Sequence, residues 1–310
     1  MRVTVPTDDL YRRLAGAMPD GVHLDLWPMA EPPTGRIDLA VMPYLVGAEV
    51  LRVLDGADVG WIQSQSLGYD NVERYLPAGI GFSNAVGVHE AATAEIALGL
   101  ILAAQRNLVA HVLDQQRGVW RPRFGPGLQS LTALVIGVGG VGGLIADHLA
   151  RFDMRVVRAA SRARLTEDGP VHGPEEVPAL VGEADLIVLA TPLTPATRGF
   201  FDAAMIGRMK PGALLVNIGR GALVDTDALA AACLGEHVRA ALDVVDPEPL
   251  PADHPLWSAP GVLITPHVGG RSTTMIDRIV ALLTRQISHL AAGEPFENPV
   301  AAVMRDVAPG

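Results

Sequence analysis

A chain of 310 residues with 49% hydrophobic content is long enough for two domains, each with a sizeable core. Its formal charge of -10, with no basic stripe to neutralise phosphates, excludes a nucleic-acid partner. The single cysteine, Cys233, excludes a disulfide framework and a thiolate metal site, and points to a reducing cytoplasm with no metal expected.

No apolar stretch of signal-peptide length opens the chain, and its most apolar window, "AEIALGLILAAQ" (94–105), is shorter than a membrane span needs. Short apolar runs alternate with helical patterns, which predicts an α/β chain with mainly parallel sheets. The early runs are "RVTVP", "HLDLWP", "IDLAVMP", "WIQSQS" and "GIGFSNA", interleaved with helix-like segments such as "DDLYRRLAGAM" and "GAEVLRVLDGA". From about His89 to Arg117, apolar residues at helical spacing predict one long amphipathic helix. "RGVWRPRFGPGLQS" then breaks all periodicity and reads as an exposed connection. A second α/β series runs from "LTALVIG" to "GVLITPH". The closing helix, "STTMIDRIVALLTRQISHLAAG", is predicted to open with Ser272 as N-cap and to stop at Gly293. One large α/β domain is the alternative to two. Two are preferred, because a complete strand–turn–helix series restarts after the long helix.

Three stretches carry chemistry. In "ALVIGVGGVGGLIADHLARF", Gly137, Gly139 and Gly142 stand in G-x-G-x-x-G order between a strand and a helix. Gly137 suits a tight turn, Gly139 lets backbone approach a pyrophosphate, and Gly142 allows close helix–strand packing. The helix N-terminus then offers N–H groups to the anion. About nineteen residues beyond Gly142, where an NAD-binding turn carries its acidic residue, this chain has Ser161 and Arg162 instead. A neutral hydroxyl beside a guanidinium fork suits a 2′-phosphate, so NADP(H) is expected, with NAD(H) the weaker alternative. Arg164 is either a second contact or simply solvated.

In "MKPGALLVNIGRGALVDTDAL", a strand delivers Asn217, Ile218, Gly219 and Arg220 at its carboxyl end. An arginine flanked by glycines there can clamp a carboxylate in bidentate fashion, or be a surface arginine in a helix-entry loop. In "ALDVVDPEPLPADHPLWSAPGVLITPHVGG", Asp243 ends a strand, Glu248 sits in a proline-framed loop, and His267 ends the next strand. Glu248 paired with His267 would favour the imidazolium and suit a general acid. Taken singly, His267 reads equally as a core histidine and Glu248 as a solvated loop residue. The other histidines are read as structural.

Along their whole length these stretches resemble the D-isomer-specific 2-hydroxyacid dehydrogenase family, from "SLGYD" to "GEPFENPV". Its closest motif likeness is to glyoxylate/hydroxypyruvate reductases, through "AATAEIAL". The resemblance implies two doubly wound parallel-sheet, Rossmann-like α/β domains flanking a cleft. The substrate domain would comprise 1–88 plus 286–310, and the dinucleotide-binding domain 89–285. In reduction His267 would protonate the substrate oxygen, Glu248 would keep His267 charged, and Arg220 would bind carboxylate and polarise the carbonyl. The cofactor would meet Gly137, Gly139, Gly140, Val141, Gly142, Ser161, Arg162, Thr93, Pro192, Ile218, Gly219, Gly269 and Gly270, with its carboxamide near Asp243. Leu67 and Gly68 would hold the substrate carboxylate through backbone N–H groups. Tyr44 is read either as a cover over the substrate or as core or lid packing. Family members are commonly homodimers, and the long helix with Trp120 and Phe124 of the following arm is the expected interface.

The leading reading is an NADP-dependent reductase of small 2-oxo acids, glyoxylate- or hydroxypyruvate-like, giving a D-2-hydroxy acid. A D-3-phosphoglycerate-type dehydrogenase is disfavoured, because the chain ends soon after the closing helix and the cofactor preference differs. A dinucleotide-sensing, corepressor-like binding protein is the alternative from another class. Arg220, Glu248 and His267 together favour the enzyme.

Overall fold

A computed structural model describes residues 1–307. The chain forms two compact units, Met1–His89 with the segment from Ser272, and Glu90–Arg271. The first unit opens with β1 (Arg2–Val5), α1 (Asp8–Leu14), β2 (His23–Leu26), β3 (Ile37–Val41), β4 (Val59–Gln63), α2 (Val72–Tyr75) and β5 (Gly81–Ser83). All five apolar runs read from the sequence are strands of one parallel sheet in the order β2-β1-β3-β4-β5. That is a doubly wound order, with its reversal beside β1. Thr7 caps α1 through its side chain, and Asp8 and Asp9 fill the first turn where the helix dipole favours negative charge. "GAEVLRVLDGA" winds as a 3-10 helix over Ala48–Leu54 rather than an α-helix.

The second unit starts with α3 (Glu90–Gln105) and α4 (Leu108–Gln116). The single helix expected from His89 to Arg117 is therefore two, bent by 68°. Asn107 breaks it by taking a left-handed conformation, and its side-chain amide donates to the Phe124 carbonyl oxygen at 3.0 Å. Asparagine tolerates that conformation better than most residues, while apolar periodicity runs straight through the break. Among the described residues no single helix is long and apolar enough to cross a membrane.

The unit continues through β6 (Thr132–Ile136), α5 (Gly140–Ala150), β7 (Arg155–Ala159), β8 (Arg164–Thr166), β9 (Gly169–His172), α6 (Val177–Glu183) and β10 (Leu186–Leu189). It ends with α7 (Ala203–Ile206), β11 (Leu214–Asn217), α8 (Thr226–Leu234), β12 (Arg239–Leu242) and β13 (Val262–Ile264). The sheet order is β13-β12-β11-β10-β6-β7-β9-β8, parallel except for the β8–β9 hairpin at one edge. Chain direction across the sheet reverses between β6 and β10, where open α/β sheets bind ligands. Buried on both faces, the central strands β6, β10 and β11 read as nearly unbroken apolar runs. Leu186 and Val188 pack into one core and Ile187 and Leu189 into the other.

The chain returns to the first unit at Ser272, ahead of α9 (Met275–Ala292) rather than inside it at 286. The reason is burial: Ile279, Leu282, Leu283 and Ile287 join Val3, Val5, Leu39 and Val41 of the first sheet in one core. No side chain caps α9; its N-cap residue is Thr274, not Ser272. Gly293 stops the helix as expected, in the left-handed conformation that glycine adopts without a Cβ penalty.

Candidate active site

Strand register in the second unit brings the sequence motifs to one rim. Ile136, Leu189, Asn217, Leu242 and Ile264 pair across the sheet at one level, as do Ile136 and Ala159. The residues that follow these strand ends include Gly137, Ile218, Asp243 and Thr265.

At the β6–α5 turn Gly137 has φ +93, and a Cβ there would stand 2.6 Å from the Ala190 carbonyl oxygen. A Cβ on Gly142, which is buried, would run into the Gly137 carbonyl oxygen. Gly139 is the N-cap of α5 and supplies no side-chain hydrogen bond, so the first-turn N–H groups at Gly140, Val141 and Gly142 keep their donor capacity. Gly139 and Gly140 are exposed, and around Gly139 a Cβ would meet nothing. An uncapped glycine turn of this shape fits a dinucleotide pyrophosphate.

Ser161 and Arg162 are exposed just past β7. Arg158 is occupied elsewhere: its guanidinium donates to Asp147 Oδ1 at 3.5 Å and the Asp168 carbonyl oxygen at 3.3 Å. Arg164 donates to the Arg162 carbonyl oxygen at 3.3 Å. Pro192 is exposed beyond β10, and its carbonyl oxygen accepts from the Thr197 hydroxyl.

Beyond β11, Asn217 braces the Arg220 loop from both sides. Its Nδ2 donates to the Arg220 carbonyl oxygen at 2.9 Å and its Oδ1 accepts from the Gly219 N–H at 3.1 Å. A Cβ on Gly221 would run into the Val245 carbonyl oxygen, so the two loops touch backbone to backbone. The half-buried Arg220 guanidinium donates to the Gly219 carbonyl oxygen at 2.7 Å. Ile218 and Gly219 are buried.

Beyond β12 and β13, His267 Nδ1 lies 2.8 Å from Glu248 Oε2, and Glu248 Oε1 accepts from the Val245 N–H at 3.2 Å. The pair expected from the motif is therefore formed. The hydrogen bond to Glu248 raises the His267 pKa more than burial lowers it; the charges of Glu248 and Asp243 add to the rise, and Arg220 opposes it. Burial pushes the Glu248 carboxyl up, but the hydrogen bond and charge of His267, the Val245 N–H and Arg220 together hold it below the usual range. The pair favours imidazolium and carboxylate.

Asp243 is 2% exposed and anchors the His267 loop. Its carboxylate accepts from the Thr265 hydroxyl at 2.7 Å, the Val268 N–H at 2.9 Å and the Gly269 N–H at 2.8 Å. Its backbone oxygen accepts from the His267 N–H at 2.8 Å. Gly269 is wedged between Asp243 and Thr93; a Cβ there would be 3.0 Å from Asp243 Oδ2 and 3.2 Å from Thr93 Cγ2. Gly270 is the next residue of that loop. Among the described residues no group of three His, Cys, Asp or Glu could hold a metal.

Leu67, Gly68 and Tyr44 belong to the first unit, in the loops after β4 and β3. The Leu67 carbonyl oxygen accepts from Asn84 Nδ2 at 2.8 Å. Tyr44 is half-buried and stacks on His89, which sequence reasoning set aside as structural. A single histidine ahead of a helix has no spacing or motif that could have singled it out. Asn217, Thr265 and Gln65 were likewise not singled out as site residues; a polar residue ending an apolar strand is the signal that could have found the first two.

The NAD binding domain model of the D-isomer specific 2-hydroxyacid dehydrogenases matches residues 98–269. A human glyoxylate reductase/hydroxypyruvate reductase is 32% identical over 80% of this chain and 79% of its own length. A D-3-phosphoglycerate dehydrogenase from Methanocaldococcus jannaschii is 35% identical over 82% of this chain, which spans only 48% of that protein. Among solved structures, an NADPH-dependent glyoxylate/hydroxypyruvate reductase from Sinorhizobium meliloti, in complex with NADP and sulfate, superposes with a TM-score of 0.82. It is 25% identical, with 97% of this chain and 98% of that one covered. The chain belongs to the D-isomer specific 2-hydroxyacid dehydrogenase family, whose NAD(P)-dependent oxidoreductase chemistry acts on 2-hydroxy and 2-oxo acids.

Proposed function

We propose that the protein is an NADPH-dependent reductase of small 2-oxo acids of the glyoxylate or hydroxypyruvate kind, producing the D-2-hydroxy acid. The observation that carries this reading is the His267–Glu248 pair on the rim that also holds the glycine turn and Arg220. A nicotinamide dinucleotide, when bound, supplies the hydride. His267 Nδ1 is held by Glu248, so Nε2 presents its proton to the substrate's carbonyl oxygen. Because its pKa is raised, the imidazole stays charged to higher pH, which suits the reductive direction. Arg220 offers its planar fork to the substrate's carboxylate and polarises the carbonyl. The N–H groups of Leu67 and Gly68 take the substrate carboxylate, and Tyr44 bounds its tail.

The glycine turn from Gly137 to Gly142 holds the cofactor's pyrophosphate, with Thr93, Pro192, Ile218, Gly219, Asp243, Gly269 and Gly270 along its remaining length. Asp243 uses three acceptor positions within the chain, which leaves capacity for one carboxamide N–H. The preference for NADPH rests on Ser161 and Arg162 standing exposed where a ribose-binding carboxylate is absent. The relationship to an NADPH-dependent reductase supports it.

The active species is a homodimer. Trp120 and Phe124 are 96% and 105% exposed, and Leu108, Val109, Val112 and Leu113 of α4 add an apolar face to the same unit. Light scattering at micromolar concentration checks this, and a monomer would count against it.

Initial rates with NADPH and NADH against glyoxylate, hydroxypyruvate and a phosphorylated 2-oxo acid test the whole reading. Higher efficiency with NADPH and a small unphosphorylated acid is expected, and Ser161→Asp with Arg162→Ala should reverse or abolish the cofactor preference. Equal efficiencies or an NADH preference would overturn the cofactor assignment. Preference for the phosphorylated acid would return the chain to the phosphoglycerate-type reading, and dinucleotide binding without turnover to the corepressor-like one.

A further inference from the structure

A closed circuit of contacts joins the loops after β3 and β4. The His89 and Tyr44 rings lie 5° from parallel with centroids 5.7 Å apart, an offset stack. His89 Nε2 lies 2.6 Å from the Gln65 carbonyl oxygen. A carbonyl only accepts, so this nitrogen carries a proton and donates it. The Gln65 side chain donates in turn to the carbonyl oxygen of Met42, two residues before Tyr44, at 2.9 Å. His89 and Gln65 are 5% and 4% exposed, so water cannot simply replace these bonds.

The circuit bears on where the loop's backbone faces. Four successive carbonyl oxygens are engaged: Ser64 by Gln63 Nε2, Gln65 by His89, Ser66 by the Ala85 N–H, and Leu67 by Asn84 Nδ2. In a trans peptide the N–H points away from the C=O. Anchoring the Ser66 and Leu67 carbonyls therefore aims the Leu67 and Gly68 N–H groups the other way, and these two find no acceptor among the described residues.

We propose that His89 is a positioning residue that locks the Gln65–Gly68 loop and Tyr44 into one rigid wall. Its Nε2–H pins the loop at the Gln65 carbonyl, immediately ahead of the peptides whose N–H groups receive the substrate carboxylate. Its ring fixes Tyr44 as the surface that limits the substrate's tail. The inference rests on the reading above that Leu67 and Gly68 bind that carboxylate.

Two substitutions separate the roles: His89→Phe keeps the stack and loses the donor, whereas His89→Gln keeps a donor and loses the ring. Amide exchange in the ligand-free protein reads the lock by itself. Exchange at Ser64, Ser66 and Ala85 should quicken about tenfold in His89→Phe, stay near the parent's in His89→Gln, and be unchanged elsewhere. Parent-like exchange in His89→Phe overturns the proposal, whatever the activity. In kinetics, His89→Phe should raise KM for glyoxylate about tenfold with kcat within about twofold. His89→Gln should keep that KM but lose about fivefold of the discrimination against phenylpyruvate. The same change in both variants, or a fall in kcat alone, also overturns it. Exchange that responds while KM does not would remove Leu67 and Gly68 from the substrate, and this proposal with them. Absence of any 2-oxo acid reduction by the parent would sink the proposed function, while exchange would still decide the lock.

Discussion

Asp243→Ala removes the acceptor of three hydrogen bonds from an almost fully buried position. The Thr265 hydroxyl can turn to the Leu242 carbonyl oxygen, 3.5 Å away. The Val268 and Gly269 N–H groups are fixed by the backbone and would face a methyl group. Each stranded donor costs about 1–3 kcal/mol, so the two together cost about 2–6 kcal/mol. That is a large share of the about 5–15 kcal/mol that holds a domain folded. Asp243→Asn keeps one oxygen but sets an amide N–H against that of Gly269, so it should cost about half as much. For a unit of this size the alanine variant should melt about 4–24 °C lower, and the asparagine variant about half that. Turnover should fall with stability, because the same loop holds the His267 backbone at φ 52 and its N–H on the Asp243 carbonyl oxygen. Thermal unfolding with parallel dinucleotide titration is the assay. If Asp243→Ala melts within about a degree of the parent and loses only cofactor affinity, the carboxylate serves the ligand and the bonding argument is refuted.

Glu248→Gln should move the basic limb of the reductive kcat/KM profile to lower pH, since the hydrogen bond that most raises His267 is weakened; an unmoved limb would detach Glu248 from the acid. Raised His267 contributes stability that is complete below 6.5 and lost as pH rises through its raised pKa. Depressed Glu248 contributes above 4.5 and loses it as pH falls through its lowered pKa, so the small melting difference from the parent should be widest between 4.5 and 6.5. Arg220→Lys keeps charge but loses the fork, and should lower kcat/KM for 2-oxo acids about 10- to 100-fold with dinucleotide affinity unchanged; weakened cofactor with intact substrate affinity would refute the clamp. Gly142→Ala should lower dinucleotide affinity at least about tenfold in a fluorescence titration, because the new methyl meets the Gly137 carbonyl oxygen and must open the turn; parent-like affinity would show the turn can adjust.

The central strands of the second unit were legible because strands buried on both faces carry no polar interruption, as in "ALVIG", "DLIVLA" and "ALLVN", whereas the exposed β8–β9 edge hairpin has no such run. The break at Asn107 was not, since Ile101, Leu108 and Val112 keep a helical apolar spacing through it and the partner of Asn107, the Phe124 carbonyl oxygen, lies well downstream. The return to the first unit at Ser272 escaped for a related reason. Which sheet an amphipathic helix covers is decided by its partners, and α9 meets Val3, Val5 and Leu39 from the other end of the chain.

The two halves of the candidate site differ in the same way. In the second unit each of these chemical groups follows a strand end within three residues, so a local motif and the sheet register together place Gly137, Arg220, Asp243 and His267 on one rim. Local sequence suffices there, because the strand supplies the position and the motif supplies the group. In the first unit the groups proposed to take the substrate carboxylate are backbone N–H groups of Leu67 and Gly68, which every residue but proline possesses. What distinguishes them is the engagement of the neighbouring carbonyls by Asn84, Ala85 and His89, well downstream in the chain. No pattern local to "QSLGYD" encodes those partners, so a resemblance can point to the loop while its orientation follows only from contacts. On the proposed function, substrate selection, unlike hydride and proton chemistry, rests on long-range hydrogen bonds, and the side chains that make them are where selectivity should be changed.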